Sequence, residues 1–284
     1  FKPGKLGDTA AKIYKPHTET ALAENMLARL PQNSVDLIIT DPPYGASTRV
    51  GRSQFNGQHK MGADRAGRVN NHENLDFLSG VPASFERVLK PDSHLYVFCN
   101  QESYAEMREY FGSVFDMSQL IVWEKPHYGV GDSQTFSPVH EFIMHFRYGS
   151  PKLRYGDKRK RPKNVLTFKR PSRTDEDIRH STQKPIRLID KLVKLSSDTG
   201  DLLLDPFSGS HVVGRTAQHT FRRSICSDMD PQIVADGDAV VEHQLRNDAV
   251  YDVDWTEVSN LEVATTQPPT KRTEAAGAEV SADD

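Results

Sequence analysis

The residues with the most concentrated chemistry are Asp41-Pro42-Pro43-Tyr44-Gly45, which follow the apolar run Val35 to Thr40. Consecutive prolines fix φ, remove two N–H donors and push the preceding residue out of the helical region. The backbone there is a rigid, acceptor-rich edge. The Asp41 carboxylate and the Pro42 carbonyl can both accept hydrogen bonds from one planar amino group, while Tyr44 offers a ring face for a base. That suits the exocyclic amine of a nucleobase, whose lone pair is delocalised into the ring until acceptors on its hydrogens favour the pyramidal, nucleophilic form. The plainer alternative is a stiff turn with Tyr44 as an ordinary half-buried aromatic. The chemical reading gains from position, because open α/β sheets bind ligands at the C-terminal ends of their strands.

A second segment, Asp201 to His211, is a buried strand (Leu202-Leu203-Leu204-Asp205) running into the small-residue turn Pro206-Phe207-Ser208-Gly209-Ser210, with Val212 to Gln218 able to form the next helix. Small residues let backbone approach a cofactor, and a helix N-terminus directs amides and a positive dipole end at an acceptor. Neither the Gly-x-Gly-x-x-Gly fingerprint nor the Gly-Lys-Ser/Thr phosphate cradle is present, which disfavours nicotinamide and ATP. Asp228 stands 23 positions after Asp205, at the end of the run Ser224 to Ser227, and suits two vicinal ribose hydroxyls. Asp230-Pro231 reads as an N-cap with proline at the first helical position rather than as a metal ligand beside Asp228, and no metal is expected.

The net charge of -3 conceals two basic segments. Between Gly45 and His72, five cations including Arg49 and Arg52 face Asp64 alone. Between Lys152 and Arg173, ten cations, among them Lys158, Arg159, Lys160, Arg161 and Lys163, face Asp157 alone. Fifteen cations less two anions give these segments +13, leaving -16 for the rest of the chain. Such concentration could grip a polyanion, although a charge run by itself is as well explained by solvated loops.

Elements must position these groups. Apolar stripes at Leu22–Leu30, Leu75–Leu89, Tyr104–Phe115 and Ile186–Val193 have helical spacing, and short apolar or β-rich runs at Val35–Thr40, Leu95–Phe98, Leu120–Trp123, Phe142–Phe146, Asp201–Leu204 and Ser224–Ser227 read as strands. Their alternation predicts an α/β fold, a Rossmann-like doubly wound and mostly parallel sheet covered on both faces. The length of 284 residues and 26% charged content fit one globular domain with polar extensions. No apolar run approaches the ~18 to 20 residues of a bilayer span. Two cysteines, Cys99 and Cys226, can build neither a disulfide framework nor a four-thiolate zinc site, and nothing near Phe1 reads as a leader. A cytoplasmic protein is expected. The stretch 264–284 holds almost no large apolar residue and is expected to be disordered.

Taken in order, Asp41-Pro-Pro-Tyr44, His180-Ser-Thr-Gln-Lys-Pro185 and Asp205-Pro-Phe-Ser-Gly-Ser210 resemble the β class of S-adenosylmethionine-dependent DNA amino-methyltransferases, over roughly Leu22 to Leu245. The resemblance implies a catalytic half preceding a cofactor half. It also implies the cofactor S-adenosylmethionine, a DNA substrate expected to be double-stranded, and a bacterial or phage-encoded enzyme of the restriction–modification kind. Asp41 and Pro42 would hold the target amine, with Pro43 and Tyr44 against a flipped adenine. Asp205, Phe207, Ser208, Gly209 and Asp228 would bind the cofactor, with Lys184 in the companion cofactor motif. Residues 1–17 would form an extension, 18–147 the catalytic half with a mobile basic loop at 45–72, 148–179 a short target-recognition segment, 180–250 the cofactor half and 251–284 a C-terminal extension. His211 and Val212 depart from the family, which has Gly and Thr there, and Lys15-Pro16-His17 stands in place of a Gly-Asp pair.

Transfer to the N6 of adenine is the favoured expectation, since Asp begins the motif. The same turn could hold the cytosine N4 amine, and RNA as substrate and a homodimer both stay open. Cytosine ring-carbon methylation needs a thiolate nucleophile, and neither cysteine has the setting for one. A nucleic-acid-binding module that merely kept the fold, or an oxidoreductase, would each have to explain an intact Asp-Pro-Pro-Tyr.

Overall fold

The computed structural model describes residues 15–44, 75–126, 136–155, 161–171 and 183–247, and among them eight strands form one sheet. In chain order the elements are β1 (His17–Thr20), α1 (Ala23–Arg29), β2 (Val35–Thr40), α2 (Val81–Val88) and β3 (Leu89–Cys99). They continue with α3 (Tyr104–Gly112), β4 (Asp116–Glu124), β5 (His140–Tyr148), β6 (Val165–Thr167) and α4 (Ile186–Ser196). The last four are β7 (Leu202–Asp205), α5 (Val212–His219), β8 (Arg223–Asp228) and α6 (Pro231–Asn247). The strand order is β1-β8-β7-β2-β3-β5-β4-β6, and of these eight β5 alone runs against the others. The expected doubly wound, mostly parallel α/β sheet is thus found.

Its core follows from alternation along β2. Leu37 and Ile39 point to one face, Ile38 to the other, and all three are fully buried. Ile38 packs with Phe85, Leu95, Val97, Phe111 and Phe146 beneath α1, α2 and α3, and Leu37 and Ile39 pack with Phe98, Trp123, Leu188, Leu192 and Leu203 beneath α4 and α5. A strand apolar on both faces is what a sheet covered by two helical layers requires. On α4, Leu188, Ile189, Leu192 and Val193 bury the predicted stripe. At α6, Asp230 accepts the Gln232 N–H at 2.8 Å, so Asp230-Pro231 caps the helix as its sequence indicates.

Three features differ from the sequence reading. The stripe Leu75–Leu89 is no single helix: Gly80 separates a 3-10 turn at Asp76–Leu78 from α2, and Leu89 already opens β3. Two edge strands carried no apolar alternation to announce them. Polar β1 pairs in parallel with β8, and β6, inside the basic segment, pairs in parallel with β4 and buries only Leu166.

Candidate active site

The strand order proceeds in opposite senses from β7 and β2, which lie side by side in parallel with Leu37 opposite Leu203 and Ile38 opposite Leu204. A crevice opens beyond the C-terminal ends of strands at such a switch point. Both sequence motifs leave the sheet there. The two strand ends are tied directly, because the Thr40 hydroxyl donates to Asp205 Oδ1 at 2.9 Å.

On the β2 side, Pro42 is buried, while Asp41, Pro43 and Tyr44 are half-buried. Asp41 Oδ2 accepts a hydrogen bond from Lys184 Nζ at 2.5 Å. Asp41 Oδ1 is sealed from solvent and has no hydrogen-bond partner among the described residues. A buried acceptor left unmatched costs free energy, typically about 1 to 3 kcal/mol, and marks a place where a donor belongs. Burial raises the Asp41 carboxyl above its usual range, and Lys184 opposes that rise. Burial likewise lifts the Tyr44 hydroxyl well above its ordinary value, so Tyr44 presents a neutral phenol. Lys184 itself is held cationic against the pull of burial by Asp41 and Glu141, and its ammonium sits 5.1 Å from the Phe98 ring and 5.9 Å from the Tyr44 ring.

Two charged residues that the sequence did not single out complete this cluster. Because β5 is reversed, its first residues arrive at the edge where the parallel strands end, and Glu141 stands there opposite Trp123. Glu141 Oε2 lies 3.3 Å from Lys184 Nζ, and Oε1 accepts from Lys125 Nζ at 2.6 Å. Lys125, just past the end of β4, is 4% exposed. The result is a row of alternating charge, Asp41, Lys184, Glu141, Lys125, in which both lysines are buried and both carboxylates half-buried. Cys99, at the end of β3, faces the same carboxylates and is pushed by burial to about 12, far from a reactive thiolate. Cys226 is buried as well.

On the β7 side, Asp205 is 3% exposed and its Oδ1 also accepts the Phe207 N–H at 3.2 Å. Burial raises its pKa to about 8. Phe207 is half-buried, edge-on to Phe77 with centroids 6.4 Å apart. Gly209 adopts φ +48° and a Cβ there would meet nothing within 4 Å, so the turn faces open space. Beside it the Ser208 hydroxyl is buried and unbonded among the described residues. Asp228 closes the loop from β8, accepting from Gly209 N–H through Oδ2 and from Asp230 N–H through Oδ1, both at 3.0 Å. A mostly sealed carboxyl, an orphan hydroxyl and open space over a side-chain-free residue are what a small, polar, nucleoside-like ligand can use.

The departure at His211 has a structural counterpart. His211 caps α5 with φ +57° and is fully buried, and a Cβ on Gly237 of α6 would come within 2.5 Å of its ring. The imidazole fills the room that Gly237 leaves.

Sequence reasoning placed Asp41, Pro42, Pro43 and Tyr44 on one lip of the crevice and Asp205, Phe207, Ser208, Gly209 and Asp228 on the other, and the structure brings both sets together at the switch point. Lys184, grouped with the cofactor residues by resemblance, has its polar contacts with Asp41, Glu141 and Tyr44. Of the basic candidates, Arg161 and Lys163 are exposed ahead of β6. Arg49, Arg52, Lys158, Arg159 and Lys160 lie outside the described residues, as do 45–72 and 264–284. The basic segment is fastened to the sheet where β6 meets β4, with the Trp123 indole donating to the Phe168 carbonyl at 2.8 Å. Arg154 is engaged in a bidentate pair with Asp198 rather than free to meet a ligand.

Residues 35–239 match the DNA methylase family of N6 and N4 amino-methyltransferases. The Type II methyltransferase M.HpaI of Haemophilus parainfluenzae is 28% identical over 229 residues, 73% of this chain and 68% of that protein. The DNA adenine methyltransferase YhdJ of Escherichia coli K12 is 29% identical over 265 residues, 83% of this chain and 84% of that protein. Among solved structures, the cytosine-N4-specific PvuII DNA methyltransferase superposes with a TM-score of 0.61 at 19% identity, covering 82% of this chain and 89% of that one. The M1.HpyAVI–SAM complex superposes at 0.58 and 18% identity, covering 79% and 99%. The matched span runs from β2 into α6 and so contains both lips of the crevice: the chain belongs to the N6/N4 DNA methylase family.

Proposed function

We propose that this protein transfers a methyl group from S-adenosylmethionine to the N6 amino group of adenine in DNA, with the base rotated out of the stack. The observation that carries the proposal is Asp41 Oδ1, a buried acceptor with no partner among the described residues, set beside the Tyr44 ring at the switch point. An exocyclic amine supplies the missing donor, and its base a face for the ring. When bound, S-adenosylmethionine supplies an electrophilic methyl carbon, so that an N–C bond forms as the S–C bond breaks and a neutral thioether departs. The protein's share is to bind, align and exclude water. Asp205, Ser208 and Asp228 with the open turn at Gly209 would hold the cofactor. Asp41 would orient the amine and accept its surplus proton.

Support for adenine comes from Asp at the head of the motif and from similarity to YhdJ, described as an adenine methyltransferase. Cations at Arg161 and Lys163 would meet phosphates, and a segment as short as 148–179 leaves few residues to read base edges, so recognition is proposed to be weak or very short. Digesting duplex DNA after reaction and weighing its nucleosides tests the proposal. N6-methyladenine is expected, and N4-methylcytosine alone would refute the choice of base. Asp41→Ala should retain cofactor affinity and lose methyl transfer; an active variant refutes the assignment.

A further inference from the structure

We propose that Glu141 is a positioning residue for amino-methyl transfer: it holds Lys184 against one oxygen of Asp41 and gives the group of charges beside the reacting amine a net negative sign. The inference deepens the role proposed for Asp41 and rests on it.

Charge is the starting point. As the N–C bond forms and the S–C bond breaks, the amine nitrogen gains a unit of positive charge, which leaves as a proton to Asp41. A lone Asp41–Lys184 pair would be neutral, and its ammonium, 2.5 Å from Asp41 Oδ2, would oppose that positive charge. Glu141 changes the balance. With its Oε2 at 3.3 Å from Lys184, the trio Asp41, Lys184 and Glu141 carries one net negative charge, and Lys125, on the other oxygen of Glu141, restores neutrality one group further out. The two carboxylates are half-buried, so such charges are less screened than in water, and fixed charges aimed at a developing charge are the largest single contribution in many enzymes. Glu141 also fixes position. Lys184 is 7% exposed on its side chain, and the second carboxylate keeps its ammonium on Oδ2 and away from Oδ1, the oxygen left for the incoming amine.

The groups facing Asp41 come from every neighbouring strand end: Tyr44 after β2, Cys99 on β3, Glu141 on β5, Asp205 on β7 and Lys184 before α4. Their signs make the inference testable. Glu141 raises the Asp41 pKa and Lys184 lowers it. Glu141→Gln therefore moves the acid limb of the kcat/KM profile to lower pH, whereas Lys184→Gln moves it to higher pH. On the plateau, Glu141→Gln lowers kcat by on the order of 10- to 100-fold, as removal of one poorly screened charge implies. KM for DNA and Kd for S-adenosylmethionine stay within about twofold, because neither is bound through Glu141. A better-ionised Asp41 with a slower reaction is a combination that loosened packing does not produce.

The same shifts are read without activity by carbon-13 carboxyl titration of Asp41 in the free protein. Should Glu141→Gln fold poorly because Lys125 loses its anion, Glu141→Gln/Lys125→Met removes both charges together and is expected to show a fall in kcat too, smaller than that of Glu141→Gln but greater than twofold. The inference is overturned if the wild type methylates DNA while either Glu141 variant keeps kcat within twofold, or if the Asp41 titration is the same in Glu141→Gln as in the wild type. A wild type that methylates no amino nitrogen, with the titration shifts present, overturns the proposed function itself and the inference along with it.

Discussion

Replacing Asp205 by Asn should stabilise the folded protein by much more at pH 8 than at pH 5. Asp205 is 3% exposed, and its Oδ1 accepts from Thr40 and from the Phe207 amide. An Asn Oδ1 can accept both bonds and carries no charge. Burial lifts the Asp205 pKa from 3.8 to about 8, so the folded state keeps a proton that the unfolded chain releases near 4. The sign follows: the unfolded chain binds fewer protons between these values, so this group's contribution to stability falls as pH rises from about 4 to about 8. Each pH unit in that window costs about 1.4 kcal/mol, so the advantage of Asn over Asp grows by up to roughly 4 kcal/mol between pH 5 and pH 8, less to the extent that water enters the site.

Urea unfolding of both proteins at several pH values isolates the effect, because titrating groups remote from Asp205 cancel in the difference. A difference that stays constant within about 1 kcal/mol over that range would show that Asp205 is ionised in the folded state and that the account of its burial is wrong. The same carboxyl should govern the cofactor. Only its ionised form offers charge to a cationic ligand, so wild-type affinity for S-adenosylmethionine, measured calorimetrically, climbs from pH 6 to 8 while that of Asp205→Asn is lower and flat.

Gly237→Ala puts a methyl group into the His211 ring and should cost about 1 to 3 kcal/mol of unfolding free energy, with partial recovery when His211 is shortened to Gly in the same chain; thermal unfolding checks both. Replacing Arg161 and Lys163 together by Ala should reduce the dependence of DNA binding on salt, by up to ~0.9 in the logarithmic slope for each phosphate left without its cation, and should weaken unrelated sequences alike. Fluorescence anisotropy across a salt series reads both effects, and an unchanged slope would remove these two cations from the interface.

How much was legible in the chain divides along physical lines. Buried strands announced themselves because a parallel strand covered on both faces is apolar on both, as in Leu37 to Ile39 and Leu202 to Leu204. The edge strands β1 and β6 did not, since His-Thr-Glu-Thr and Val-Leu-Thr are held by backbone pairing rather than by burial. Asp41, Tyr44, Asp205 and Asp228 were readable because each sits at the end of a strand whose direction the pattern fixed. Glu141 was not. It begins a strand, and a residue at the start of a parallel strand would lie on the far side of the sheet from the site. Only the antiparallel pairing of β5 with β3 and β4 brings it to the functional edge. Lys125 was hidden for another reason, because a lysine after a strand looks solvated until its carboxylate partner is known.

The topology also explains why the half of the chain that carries β2 can precede the half that carries β7 without altering how their strand ends meet. The lips meet because β2 and β7 are neighbours in space, joined by Thr40 and Asp205, and that adjacency is indifferent to which strand is made first. What chain order does decide is which segment lies between the halves. Here it is the run from β5 to α4, which leaves the sheet at the edge remote from the crevice, returns along β4 as β6, and ends at Lys184. Arg161 and Lys163 stand just ahead of β6 on that path, and the run ends on the ammonium that occupies one oxygen of Asp41. Under the proposed function, the segment that meets phosphate and the residue that presets the base acceptor belong to one stretch of chain.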